Sequence, residues 1–156
     1  MSDGVEEVYS LLVPLADDRL IVPRACVAEV VRYIKPEGVG GAHDWYLGTV
    51  NWSGRELPIV SFEGLLGEDI PATSGRTRIV VFYATSGKLR GAYFGVLTQG
   101  FPQLVRVNRE VLRLDKSADI GSDVPAYCRV KMINEYPLIP DLEKIEELIG
   151  EREIQG

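Results

Sequence analysis

His43, Cys26 and Cys128 are the residues of this 156-residue chain best suited to nucleophilic or metal chemistry. A metal site takes three or four ligands from His, Cys, Asp and Glu, and a lone histidine with two widely separated cysteines does not supply them, so no metal is expected. A Cys–His pair stays open as arithmetic, because catalytic partners meet in space and not in sequence. His43, however, sits in a Gly-rich stretch beside Asp44 and Trp45 and reads as a solvated loop histidine. The cysteines read as reduced structural thiols rather than as a bridge. Glycines are plentiful, yet no GxxxxGK[ST] follows a strand and no GxGxxG opens a helix, so the backbone cradle for phosphates is missing and no cofactor is expected. The acid pairs Asp17-Asp18 and Glu68-Asp69 fall in expected turns, where hydration and local backbone bonding favour acids without catalysis. Tyr33, Trp45, Tyr46 and Trp52 would form a stacking platform for single strands only within a basic groove. Trp52 is expected in the core.

Alternation and β-branched residues dominate the chain that must position these side chains. Val8 to Leu15 puts Tyr9, Leu11 and Val13 on one strand face, and Asp17-Asp18 turns it toward Leu20 to Val22. Ala25 to Ile34 begins as a helical turn and becomes extended by Glu29. Val39 to Asp44 is loop-like. Tyr46 to Trp52 faces Val50 and Trp52 one way and Thr49, Asn51 and Ser53 the other, and Ser53 to Glu56 is a hairpin turn into Leu57 to Phe62. A short helix is expected at Glu63 to Leu66. Ile79 to Ala84 is apolar without alternation, as in a strand covered on both faces. Leu89 to Leu97, Phe101 to Val107, Tyr127 to Ile133 and Tyr136 to Ile139 are further strands, with Asn108 to Val124 a long loop. A helical period appears only at Leu142, Ile145, Leu148 and Ile149, after an Asp141 cap and with Gly150 as its stop. Short strands with one late helix point to small barrels and away from a βαβ fold.

The net charge of −6 is concentrated at the ends. Met1 to Glu7 carries three acids and no base, and Asp141 to Glu153 carries six acids against two bases. The body between them is nearly neutral, without a basic stripe for nucleic acid or a Lys/Arg-rich amphipathic helix for a membrane surface. No signal peptide or apolar span of membrane length is visible, so a cytoplasmic protein with protein partners is expected.

Two segments resemble one family. Ala25 to Tyr33 is similar to the V-x-E-I segment of CheW-like domains, with Glu29 at the acid. Trp45 to Gly54, followed by Arg55-Glu56-Leu57-Pro58-Ile59-Val60, resembles the family signature G-x-x-N-L-R-G-x-x-x-P-V-x-D-L. Arg78 to Gly95 is similar to the family's apolar strand pair, and Met132 to Leu148 to its closing hairpin and helix. The resemblance implies a mostly β fold of two packed SH3-like, five-stranded barrels with a short C-terminal helix. It covers residues 8–150 as one domain, with 1–7 and 151–156 as flexible termini. It also implies a non-enzymatic adaptor, a monomer or weak self-associator, that bridges the cytoplasmic tips of chemoreceptors to the regulatory domain of a CheA-type histidine kinase. The contact surface carried over comprises Val27, Glu29, Val30, Gly48, Asn51, Ser53 and Gly54. Two residues depart from the signature: Ser53 stands for its arginine and Ser61 for its aspartate. Trp52, in place of leucine, is similar to CheW-like proteins of type IV pilus (twitching motility) systems. Two other readings compete: a ligand- or oligonucleotide-binding barrel outside the family, which needs a basic or aromatic face, and a small hydrolase, which needs an activated thiol at Cys26 or Cys128.

Overall fold

Eleven strands and two helices follow one another in the computed structural model, which describes residues 7–38, 41, 44–108, 110–116, 118–121 and 123–155. The strands are β1 (Val8–Pro14), β2 (Arg19–Pro23), β3 (Val27–Arg32), β4 (Tyr46–Trp52), β5 (Arg55–Val60), β6 (Arg78–Tyr83), β7 (Tyr93–Thr98), β8 (Gln103–Val107), β9 (Arg113–Leu114), β10 (Ala126–Lys131) and β11 (Leu138–Pro140). The helices are α1 (Phe62–Leu65) and α2 (Leu142–Gln155), and a 3-10 turn at Arg24–Cys26 leads into β3.

The strands form two sheets, ordered β8-β1-β2-β11-β10-β9 and β3-β6-β7-β5-β4, which curl into barrel-like subdomains. The first sheet joins the N-terminal hairpin to strands from the second half of the chain, through the parallel contact of Leu20 with Leu138. It therefore has six strands where five were expected, because the two-residue β9 emerges from the polar stretch read as loop. The second sheet has the expected five. Its ends meet where the chain beyond β3 bridges β4, with Glu37 and Thr49 exchanging backbone hydrogen bonds of 2.8 Å.

Three apolar clusters hold this arrangement. Leu12, Ile21, Val107 and Val130 fill the first barrel, and Val50, Leu57, Ile59, Ile79, Val81 and Leu97 fill the second. The largest cluster lies between the sheets and includes Val13, Leu20, Val60, Phe62, Val80, Phe82, Phe94, Ile145 and Ile149. The central strand β6 explains its own unbroken apolar run. Ile79 and Val81 enter the barrel while Val80 and Phe82 enter the inter-sheet core, and all four are fully buried. At about 1.5–3 kcal/mol for each buried Val, Ile or Phe, both faces of this strand contribute to holding the sheets together. Phe82 stacks on Phe94 across β6 and β7, with ring centroids 5.4 Å apart.

Several boundaries differ from the sequence reading. The strand expected at Leu89 starts at Tyr93, because Leu89 leaves the sheet to join the inter-sheet core. The last strand is Leu138–Pro140, and Tyr136 lies in the connection before it. The turn between β4 and β5 is only Ser53-Gly54, both at positive φ (53° and 74°), as a two-residue hairpin requires. Asp141 caps α2 by accepting from the Lys144 N–H at 3.0 Å. Gly150 does not stop that helix, which runs on to Gln155, so residues 151–155 belong to it and not to a flexible tail. The Gly150 Cα instead lies so close to the Lys88 carbonyl oxygen that a Cβ would come within 2.1 Å of it.

Candidate interaction surface

β3 is the strand from which the proposed surface is built, and its register is irregular: Val27 pairs with Phe82 and Glu29 with Val81, so Ala28 is an extra residue. Such a bulge re-aims the side chains that follow it. Val27 and Val30 consequently lean on the inter-sheet core while staying half-buried, and Glu29 is exposed. Both valines thus pack and remain reachable.

Glu29 does not stand alone. Its Oε2 accepts a 2.8 Å hydrogen bond from the Trp52 indole N–H across the mouth of the second barrel. Trp52 was expected in the core. It is only half-buried, because it ends β4 where the barrel opens, with its ring against Tyr93 at 4.9 Å. Tyr83 lies 5.6 Å from Tyr93, and the Arg55 guanidinium lies over the Tyr93 ring at 5.0 Å. This Glu29, Trp52, Tyr93, Tyr83 and Arg55 group is a continuous polar and aromatic face. Tyr83, Tyr93 and Arg55 escaped the sequence reading, since only strand pairing brings them beside Glu29.

The remaining expected residues divide. Ser53 and Gly54 are exposed in the β4–β5 turn next to Trp52, at the edge of this face. Asn51 is exposed but lines a different, shallow groove with Ile34, Lys35, Glu37, Thr49 and Glu56. Gly48 is buried and cannot serve as a contact residue as expected. At φ 118°, a Cβ there would come within 2.2 Å of the Glu37 carbonyl oxygen, so Gly48 lets the barrel close. Ser61, where the signature has aspartate, caps α1 by accepting from the Gly64 N–H at 3.1 Å. Serine and aspartate are comparable caps, so this departure leaves the local structure intact.

Two buried acids were also missed. Glu63 is 1% exposed and accepts from the Ala16 N–H at 3.0 Å and the Gln99 side-chain amide at 3.2 Å. Glu146 on α2 is 2% exposed and accepts from the Ser86 N–H and hydroxyl. Asp18, read as a hydrated turn acid, is gripped by both arms of the Arg129 guanidinium at 2.9 Å, tying the β1–β2 turn to β10.

Hydrolytic chemistry finds little here. Both cysteines are free thiols, and partial burial pushes the Cys26 thiol above its ordinary pKa, which disfavours the nucleophilic thiolate. His43 lies outside the described residues. Among the described residues no group of three His, Cys, Asp or Glu is placed to hold a metal ion, and no helix is long and apolar enough to cross a membrane.

Two barrel-like sheets packed on a shared core, with a C-terminal helix against it, define a mostly β module of two small barrels. A family model described as CheW-like domain matches residues 10–148, and the chain belongs to that family. Among solved structures, the crystal structure of the scaffolding protein TtCheW from Thermoanaerobacter tengcongensis is similar, with a TM-score of 0.72. It is 13% identical, and the match covers 91% of this chain and 89% of that one. At that identity the likeness establishes the shared fold. No curated protein matches the chain.

Proposed function

We propose that this chain is a non-enzymatic cytoplasmic adaptor that couples the tips of chemoreceptors to the regulatory domain of a CheA-type histidine kinase. The observation that carries the reading is the family match over residues 10–148. The Glu29 face supports it: a docking surface needs an anchored charge and rigid aromatic area, and Trp52 and Tyr93 supply both around that acid. Val27, Glu29, Val30, Ser53 and Gly54 form the receptor side of this reading, with Trp52 and Tyr93 added to them. On Trp52 the reading extends to the type IV pilus branch of these systems.

Calorimetric titration with the regulatory domain of the kinase encoded beside this chain, and with the cytoplasmic tip of its chemoreceptor, tests the proposal. Saturable binding in the micromolar to sub-micromolar range, about −8 to −10 kcal/mol, is expected of a modest interface between small rigid domains. Absence of saturable binding to both overturns it.

A further inference from the structure

The buried residue Glu146 lines a cavity between the 3-10 turn, the end of β6 and α2. Cys26 from the 3-10 turn, Tyr83 at the end of β6, Ser86 beyond it, and Leu142, Glu143 and Glu146 from α2 line a cavity of about 490 Å³. That volume lies within the ordinary range for a ligand pocket.

Glu146 is held from one side only. The Ser86 backbone N–H at 3.0 Å and its hydroxyl at 2.7 Å both donate to Oε1. Among the described residues no hydrogen bond to Oε2 accompanies these, and Glu146 is one of the residues that line the cavity. The Ser86 donors are neutral, and among the described residues no ion pair involves Glu146. No base lines the cavity, and the nearby Lys88 ammonium is drawn to Glu143 at 3.1 Å and Glu147 at 3.7 Å.

These contents select the occupant. An anion would meet Glu146 with no base lining the cavity to offset it, since the nearby Lys88 ammonium is engaged by Glu143 and Glu147. A wholly apolar group would strip water from Oε2 without replacing its hydrogen bonds, at a cost of some kcal/mol by the general rule for buried polar groups. A cation would satisfy Oε2 with a charge-assisted hydrogen bond, and its flat or alkyl portion would lie against the Tyr83 ring. Tyr83 also lies 5.6 Å from Tyr93, so the cavity mouth is continuous with the aromatic face around Glu29.

We propose that this cavity is a second anchor of the docking surface, receiving a basic side chain, arginine above lysine, from the protein that docks on the Glu29 face. The identity of that protein rests on the adaptor reading; the cation preference of the cavity does not.

The test uses the whole chain and a minimal probe. N-acetyl-arginine methylamide is titrated while the backbone amide resonances of Ser86 and Leu142 are followed by NMR, with Val107 in the other barrel as a control and N-acetyl-citrulline methylamide as the uncharged isostere. Saturable shifts near Ser86 are expected for arginine, about tenfold weaker for citrulline, and abolished by Glu146→Gln, whose amide oxygen still accepts from Ser86. Where Glu146→Gln does not fold, Tyr83→Leu replaces it and should weaken the arginine response several-fold. Absence of saturable shifts, or equal responses to arginine and citrulline, overturns the cavity assignment. The same variants are then titrated with the chemoreceptor tip. A tenfold loss with Glu146→Gln supports the anchor. Loss with Glu29→Lys and none with Glu146→Gln overturns the anchor and leaves the adaptor reading standing. An arginine response without any receptor-tip binding upholds the cation site and overturns its assigned partner.

Discussion

Arg152, in the last turn of α2, lays its guanidinium on the carboxylate of Asp44, with Nη1 2.7 Å from Oδ1 and Nη2 engaging Oδ2. The same guanidinium lies 5.3 Å from the ring centroids of both Trp45 and Tyr46, so one side chain clips the end of α2 to the start of β4. The bidentate geometry depends on the planar fork, which lysine lacks.

Arg152→Ala should therefore lower stability by about 1.5 kcal/mol, the low end for hydrogen bonds to charged groups, because both side chains keep some contact with solvent. The pH dependence follows from Asp44, whose carboxyl the Arg152 guanidinium holds below the ordinary aspartate range. A carboxyl depressed in the folded state binds its proton more readily when unfolded, so its contribution is complete above the unfolded value of about 3.9. It is lost as pH falls through the lower folded value. The stability gap between the wild type and Arg152→Ala, measured by urea unfolding, should be constant from pH 5 to 7 and shrink below about pH 4. A gap that stays constant to pH 2 would show that packing on Trp45 and Tyr46, and not the ion pair, is what Arg152 contributes.

Gly150→Ala is expected to be far more damaging than an alanine in a helix usually is. Alanine is the better helix former by about 1 kcal/mol, but its Cβ would meet the Lys88 carbonyl oxygen at 2.1 Å. Backbone does not yield as a side-chain tip does, so α2 must lift from the loop before β7, at a net cost of about 2–3 kcal/mol. A rise in the thermal midpoint would mean that the loop moves freely.

Periodicity made most of the strands legible. The unbroken apolar run of Ile79 to Phe82 announced a strand covered on both faces, and the two signature segments located Glu29 and the β4–β5 turn. Gly150 misled because a glycine near a helix end ordinarily marks a stop, while here close approach of another backbone demands it. Trp52 misled for a related reason, since alternation fixes which face a residue occupies but not how far along the strand the barrel opens. The buried acids were invisible because, apart from the Ser61 hydroxyl beside Glu63, their partners are distant in sequence: Ala16 and Gln99 for Glu63, and Ser86 for Glu146. No local pattern distinguishes such an acid from a solvated one.

Glu63 yields a prediction on stability. Its carboxylate joins the β1–β2 turn, through Ala16, to the end of β7, through Gln99, at a point with almost no solvent access. Glu63→Ala would leave the Ala16 N–H and the Gln99 amide without their acceptor and open a small void, for a loss of about 3 kcal/mol or more. Glu63→Gln, which keeps one acceptor oxygen, should cost less than half as much. Equal losses in chemical unfolding would indicate that the negative charge itself is required.

The last prediction separates what Trp52 does for the fold from what it does for binding. Where the family signature has an arginine, this chain has Ser53, and the partner of Glu29 is the neutral indole N–H of Trp52. An arginine there would pair with the acid as an ion pair, whereas the indole only orients the carboxylate through one neutral hydrogen bond. Trp52→Phe keeps an aromatic ring against Tyr93 while removing the indole donor and part of the ring area. Since Glu29 is solvated, loss of that bond should cost at most about 1 kcal/mol of stability. Affinity for the chemoreceptor tip should fall by a few-fold, because Glu29 is no longer held in one position. Glu29→Lys should weaken it by more than about 1.4 kcal/mol, a factor of ten, with the thermal midpoint nearly unchanged. Ser53→Arg, placing a competing cation beside Glu29, should reduce the effect of Glu29→Lys in a double-mutant cycle. Unfolding of Glu29→Lys would make the acid structural. Unchanged binding in both Trp52→Phe and Glu29→Lys would move the receptor surface away from this face altogether.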